Sequence, residues 1–297
     1  MSLVSRPDVA TDAFETHRPR LVRLAYRMLG SVAEAEDVAQ DAWLRWRGVE
    51  TSEIREPAAW LTRTVTRLCL DHIKSARARR ETYVGSWLPE PLIGSFEPED
   101  DAADDLTLTL MMALERLSPL ERAAFLLHDV FGVGFAEVGT TLDRDAAAVR
   151  QLAARARKHV QEARPRFPVA PEEGDRIARA FFDATRSGDL AALGAMLAEG
   201  VTLHSDGGGK VFAFPRPIIG LEHILRLYAG LNRKFGAEAF EHIRPMRIDG
   251  LPGYASLERG QLLQTTALSI EDGRIVGIFV TRNPDKLARV AAELGLN

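Results

Sequence analysis

Between residues 81 and 105 the chain carries eight acidic residues and no basic one, and this run reads as a linker. Its first part, "WLPEP" at 87–91, alternates prolines that favour an extended, polyproline-like backbone. Its second part, "EPEDDAADD", is too polar and too like-charged to bury itself. A chain of 297 residues interrupted in this way reads as two or three domains around a connector. The flanking blocks have the opposite sign. Residues 1–80 hold 14 Lys and Arg against 11 Asp and Glu, and residues 106–166 hold 9 against 7. The overall charge of −4 therefore hides two mildly basic blocks.

Composition matters here for what it excludes. With 46% hydrophobic and 27% charged residues the chain has the balance of a water-soluble protein, and no apolar run approaches the ~18 residues of a membrane helix. The opening "MSLVSRPDVATDAFE" lacks the basic start and apolar core of a secretory signal. A single cysteine, Cys69, excludes an internal disulfide and a cysteine-rich metal cluster. The expectation is a cytoplasmic protein with no metal, no cofactor and no membrane partner.

Residues 1–80 read as helices. "RPRLVRLAYRML" places Leu21, Leu24, Ala25, Met28 and Leu29 on one face, and Gly30 and Ser31 end that helix. In "AEAEDVAQDAWLRW", Val38, Ala39, Trp43 and Trp46 are expected inside, while Trp60, Leu61, Val65, Leu68 and Ile73 mark a third helix running into the basic "KSARARR". In residues 106–166, Ser118-Pro119-Leu120-Glu121 is a capping box with proline at the first helical position. "FAEVGTTL", "DRD" and "AAAVRQLAARARKHV" then spell helix, turn, helix, with Gly139 small at the crossing and Asp145 placed to cap. Pro165 and Pro168 close this block. From about residue 172 the texture becomes mixed. Helical patterns around Ile177, Phe181 and Phe182 and in "LAALGAML" precede alternating segments "VTLHS", "VFAF", "YASLE", "LLQTTALSI" and "RIVGIFVT". "GLEHILRLYAGL" is a helix between strands, "EDGR" is an Asp-Gly hairpin turn, and Asn283-Pro284 starts a last helix.

In a DNA-reading helix-turn-helix the second helix enters the major groove. Arg150 and Gln151 are the candidates for base edges, with Arg155, Arg157 and Lys158 for phosphates; the plain alternative is a helical hairpin with a solvated basic face. Lys74, Arg77, Arg79 and Arg80 suit phosphates or, equally, a solvated helix end, and the acidic face of Glu36, Asp37, Gln40 and Asp41 suits a basic partner helix or simply water.

Taken in order, "HRPRLVRLAYRMLGSVAEAEDVAQDAWLRW" with "PAAWLTRTVTRLCLDHIKSARARR" resembles the sigma-2 domain of extracytoplasmic-function sigma factors, and "ALERLSPLERAAFLLHDVFGVGFAEVGTTLDRDAAAVRQLAARARKHV" resembles their sigma-4 domain. The resemblance implies a multidomain chain: two all-α domains, sigma-2 at 1–80 and a sigma-4 helix-turn-helix at 106–166, joined by the connector at 81–105 and followed at 172–297 by an α+β SnoaL-like/NTF2-like cone. It implies an initiation factor, not an enzyme. Its partners would be the RNA polymerase core, at the β′ clamp and β flap regions, and promoter DNA. Glu36, Asp37, Gln40 and Asp41 would dock polymerase, the loop at 48–57 and the helix 59–80 would meet the −10 element, and Arg150, Gln151, Arg155 and neighbours the −35 element. Asp143 stands where the family commonly has the turn glycine, and Asp tolerates a left-handed backbone.

Three further signatures resemble sigma factors of the SigJ type: Trp87-Leu88-Pro89-Glu90-Pro91, Asp206-Gly207-Gly208-Gly209-Lys210 and Asn283-Pro284-Asp285-Lys286. That group implies control in cis by the extension, with the chain monomeric when free. The three glycines lack the spacing of a phosphate loop and exceed what a hairpin needs, so they are expected to admit a neighbouring backbone, that of "WLPEP", with Lys210 and Lys286 meeting the acidic connector. The alternative is a DNA-binding regulator whose cone senses or turns over a small molecule, with His204 and Asp206, two apart on one strand, lining its pocket.

Overall fold

The computed structural model describes residues 9–49, 54–81, 83, 85–93, 107–163, 169–236 and 240–296, in two compact units. The first comprises residues 1–79 and 113–162, and the second residues 80–112 and 163–297. The connector therefore belongs with the C-terminal unit. Pro165, Pro168 and the acidic run at 97–105 lie outside the described residues.

In the first unit, α1 (Val9–Leu29) and α2 (Val32–Arg47) meet across Gly30, whose φ of 72° turns the chain, and Ser31, whose Oγ accepts from the Glu34 amide. Leu21, Leu24, Ala25, Met28, Val38, Ala39 and Trp46 are buried as the spacing requires. Trp43 is only half-buried, tilted against Phe14 with ring centroids 5.0 Å apart. The third helix, α3 (Pro57–Glu81), buries Leu61, Val65 and Cys69. After α4 (Leu108–Glu115), the Ser118 capping box opens α5 (Pro119–Phe125), which widens into a π turn, Leu126–Val130. Arg122, 3% exposed, is held there by Glu115 at 2.7 Å and by the Met28 and Leu114 carbonyls. Next, α6 (Phe135–Leu142) and α7 (Ala146–Ala163) form the helix-turn-helix.

The second unit begins with α8 (Pro171–Ser187) and α9 (Leu190–Met196) and adds β1 (Leu197–Asp206), β2 (Ile218–Ile219), α10 (Leu221–Phe235), β3 (Phe240–Ile248), β4 (Leu251–Glu258), β5 (Leu262–Glu271), β6 (Arg274–Thr281) and α11 (Pro284–Glu293). The sheet runs β2-β1-β6-β5-β4-β3, with β1 parallel to β6 and every other pair antiparallel. Asp249-Gly250, Arg259-Gly260 and Asp272-Gly273 all take positive φ, so three tight turns fold β3 to β6 into a meander. This is the α+β arrangement, helices followed by a sheet, expected of the C-terminal region.

One face of the sheet packs Leu203, Leu268, Ile270, Ile275 and Ile278 against Phe181 and Phe182 of α8 and Ile224 of α10. Another cluster joins Ile248, Leu251, Ala267 and Phe279 to Leu88 of the connector and Leu108 at the start of α4, both of which belong to this unit. The expected strand "VFAF" is not one. Residues 211–214 have no ladder partner, and Pro215 and Pro217 just beyond supply no N–H to build one.

Candidate functional site

The helix-turn-helix is built by three backbone requirements. A Cβ at Gly139 would lie 2.5 Å from the Arg144 carbonyl oxygen, so only glycine lets the turn pass α6. Asp143 sits at φ 54°, ψ 53°, the left-handed position the sequence assigned to it. Asp145 Oδ1 accepts from the Ala148 amide at 2.7 Å and caps α7. Arg150 and Gln151, in the next turn, are exposed; Arg150 lies over the Phe135 ring at 5.2 Å. Lys158 is exposed, whereas Arg155 is 3.7 Å from Glu121 and Arg157 donates to Asp129 at 2.5 Å. The capping box and Arg155 hold the Glu121 carboxyl below its usual range, the Ser118 hydrogen bond most of all.

On α2, Glu36, Asp37, Gln40 and Asp41 are all exposed, beside Leu44 at 58% exposure. Lys74 is exposed and 3.1 Å from Asp71. The side chains of Arg77, Arg79 and Arg80, and residues 50–53 of the loop at 48–57, lie outside the described residues.

Among the described residues of the C-terminal unit a dense polar cluster centres on Asp206, a carboxylate with no exposed surface. Oδ1 accepts from the Tyr83 hydroxyl at 2.5 Å and the Gly208 amide at 3.0 Å. Oδ2 accepts from the Leu88 amide at 2.9 Å and Lys286 Nζ at 2.8 Å. Lys286 also donates to the Leu88 carbonyl and stands 4.3 Å from the centre of the Trp87 ring. Asn283 caps α11 through the Asp285 amide and donates to the Tyr83 oxygen. Burial, and then the Asp206 carboxylate, hold the Tyr83 phenol well above its ordinary range. Around this cluster Leu88, Pro89 and Pro91 are buried and Trp87 and Glu90 half-buried. The Leu92 carbonyl accepts from the Asp249 amide at 2.9 Å, so the connector adds to the edge of the sheet.

Three expectations change. The glycines do not admit the connector backbone: a Cβ at Gly207 would lie 2.1 Å from the Val211 carbonyl oxygen, one at Gly208 2.4 Å from the Asn283 side chain, and Gly208 and Gly209 take φ of 62° and 71°. They serve a tight turn closed on its own loop and capped by Asn283. Neither lysine meets the acidic run within the described contacts; Lys210 pairs with Asp285 at 2.6 Å and Lys286 with Asp206. Nor do His204 and Asp206 line the pocket. They do share a face, but His204 stacks on Phe279 at 5.5 Å and Asp206 holds the connector. Leu203 and Ser205, on the opposite face, point to a cavity of about 530 Å³ whose wall also includes Phe182, Tyr254, Gln264 and Arg282. Sequence reasoning missed Tyr83, for which nothing in the local pattern distinguished it from linker.

Residues 13–79 match Sigma-70 region 2 and residues 107–160 match Sigma-70, region 4. The chain is 39% identical over 288 residues to the ECF RNA polymerase sigma factor SigJ of Mycobacterium tuberculosis, covering 92% of this chain and 91% of that protein. It is 35% identical to a probable ECF RNA polymerase sigma factor SigI of the same species, over 98% of this chain and 99% of the relative. The crystal structure of the M. tuberculosis SigJ superposes with a TM-score of 0.75 at 35% identity, covering 93% of this chain and 98% of that one.

Proposed function

The chain belongs to the ECF RNA polymerase sigma factor family, and from that premise we propose that it binds the polymerase core and promoter DNA to direct transcription initiation, controlled in cis by its own C-terminal unit. Members of this family are initiation factors, not enzymes. The observation that carries the promoter reading is the exposed Arg150–Gln151 pair in the first turns of a capped helix, where a groove-reading helix meets base edges. Lys158 supplies a backbone contact nearby; Arg155 and Arg157 would have to exchange Glu121 and Asp129 for phosphates. Glu36, Asp37, Gln40 and Asp41 form the stripe that docks the β′ clamp, while region 4 serves the β flap. Lys74, with Arg77, Arg79 and Arg80, serves the −10 strand. The place of action is the cytoplasm, and the free chain is a monomer.

Regulation in cis rests on the Asp206 cluster. It ties Tyr83 and Leu88, which belong to the segment between regions 2 and 4, to Asn283 and Lys286 of the extension. Run-off transcription with purified bacterial core polymerase, on a promoter selected from genomic fragments, tests both halves. The full chain is expected to initiate and an Arg150→Ala, Gln151→Ala chain to lose promoter preference; silence of both the full chain and residues 1–166 defeats the sigma reading. Asp206→Asn is expected to change the yield. Identical yields from wild type, Asp206→Asn and residues 1–166 defeat control in cis.

A further inference from the structure

We propose that the C-terminal cavity binds an amphipathic small-molecule anion, and that the loop from Asp206 to Phe214 transmits its occupancy to the connector. The inference deepens the reading of that unit as regulatory and gives its pocket a ligand class.

The volume, about 530 Å³, falls within the range of about 300–1,000 Å³ usual for small-molecule sites. Its walls combine an apolar body with a few converging polar groups. Phe182, Leu203, Leu227 and Phe214 supply the first. Tyr254, Gln264, Ser256 and Thr266 supply the second, and burial raises the Tyr254 phenol above its ordinary range, so it stays a neutral donor. Charge at the wall is unbalanced. Arg226, Lys234 and Arg282 line it with Glu258; Arg226 is paired with Glu222 at 2.8 Å and Arg282 with Glu258, so the positive excess comes from Lys234 and from Arg259, which stands 4.4 Å from the centre of the wall's Phe235 ring. An anionic head group with an apolar body fits this distribution; a cation does not. Phe212 lines the same cavity yet is 73% exposed, an apolar side chain that a bound apolar body would cover.

The mechanical link is a run of named contacts. Phe212 and Phe214 lie at one end of the glycine loop and Asp206 at the other. Arg282, in the cavity wall, donates to the Phe212 carbonyl at 2.8 Å and pairs with Glu258, while the Arg282 and Asn283 amides both donate to the Asp206 carbonyl. The connector touches the loop twice, at Asp206 and where a Cβ on Gly85 would lie 3.7 Å from the Phe214 carbonyl oxygen. A ligand that fixes Phe212 and Phe214 therefore fixes the loop that holds Leu88.

Calorimetric titration of the full chain with 2-naphthoate, and with 2-naphthamide as its neutral counterpart, tests the site without any transcription readout. Naphthoate is expected to bind roughly tenfold more tightly, the ratio a charge-assisted contact supplies. A Cβ at Gly230, in the cavity wall on α10, meets nothing within 4 Å, so Gly230→Phe should fill the mouth while the chain stays folded. It is expected to remove binding of both probes, and the smaller Gly230→Leu to weaken it. Hydrogen exchange at the Leu88 amide should slow on saturation, by up to about 100-fold at 100 times Kd where the ligand binds only the clamped form. Absence of binding, equal binding of the two probes, or binding undiminished in both Gly230 variants overturns the site. Binding that leaves Leu88 exchange unmoved overturns the coupling. Because none of these readouts involves polymerase, failure here leaves the sigma reading standing, and failure to initiate leaves the site standing.

Discussion

At the scale of single residues, Asp206 concentrates more of the molecule's logic than any other side chain. A carboxylate without exposed surface is tolerable only because four donors surround it and Lys286, 12% exposed, neutralises it. Asp206→Asn removes that charge and leaves the lysine buried without its partner, a loss of about 3–5 kcal/mol for pairs of this kind. Exchange at the Leu88 amide is expected to accelerate by roughly 100-fold or more as a result. Tyr83→Phe deletes one donor at the half-buried edge and should cost less, about 1–2 kcal/mol. Should Tyr83→Phe open the clamp further than Asp206→Asn, the carboxylate is not its centre. The phenol also sets a pH limit. Its pKa in the folded chain lies above the ordinary 10.0, so the contribution is complete below pH 10.0 and lost as pH rises through the higher folded value. Leu88 exchange corrected for intrinsic rate should therefore rise above pH 10.0 in wild type and stay level in Tyr83→Phe.

At the scale of elements, the turn between α6 and α7 is where sequence and structure agree most closely, and where substitutions discriminate. Gly139→Ala sets a methyl against the Arg144 carbonyl, a backbone atom that cannot rotate aside, and should cost about 1–3 kcal/mol. Asp143→Gly relieves a left-handed residue and should gain up to about 1 kcal/mol. Exchange protection of the α7 amides measures both, and opposite signs are the expected result. These features were legible because capping and left-handed turns are local chemistry. Hairpins were legible only unevenly. Asp272-Gly273 was read as a turn, yet the same dipeptide at 249–250 makes the β3–β4 hairpin and went unread. The strand that leads into 249–250 contains Pro245; proline argues against a strand, but β3 lies at the sheet's edge, where a missing N–H costs no ladder bond. The face shared by His204 and Asp206 was legible from the two-residue period. Which face looks onto the cavity was not, since alternation relates neighbours to each other and long-range packing alone assigns the side.

At the scale of the whole molecule, the connector lies in sequence between regions 2 and 4 and packs with the C-terminal unit, which is where the proposed control in cis would have to act. The Asp249 amide donates to the Leu92 carbonyl, which holds the connector against the edge of the sheet. The clamp also has an apolar part. Leu88 has no exposed surface and packs with Leu108, Ile248 and Phe279, and burying one leucine side chain contributes about 1.5–3 kcal/mol. Limited chymotrypsin digestion reads this directly, because Tyr83, Trp87 and Leu92 are all sites for that protease once the connector is free. In the full chain cleavage has to wait for opening, whereas in residues 1–166 the covering sheet is gone. The connector of the fragment is expected to be cut more than roughly 100-fold faster than that of the full chain, with Asp206→Asn between them. Equal rates would mean that the connector is as accessible in the intact chain as in the fragment, and the extension would then need some other route to the promoter-binding regions.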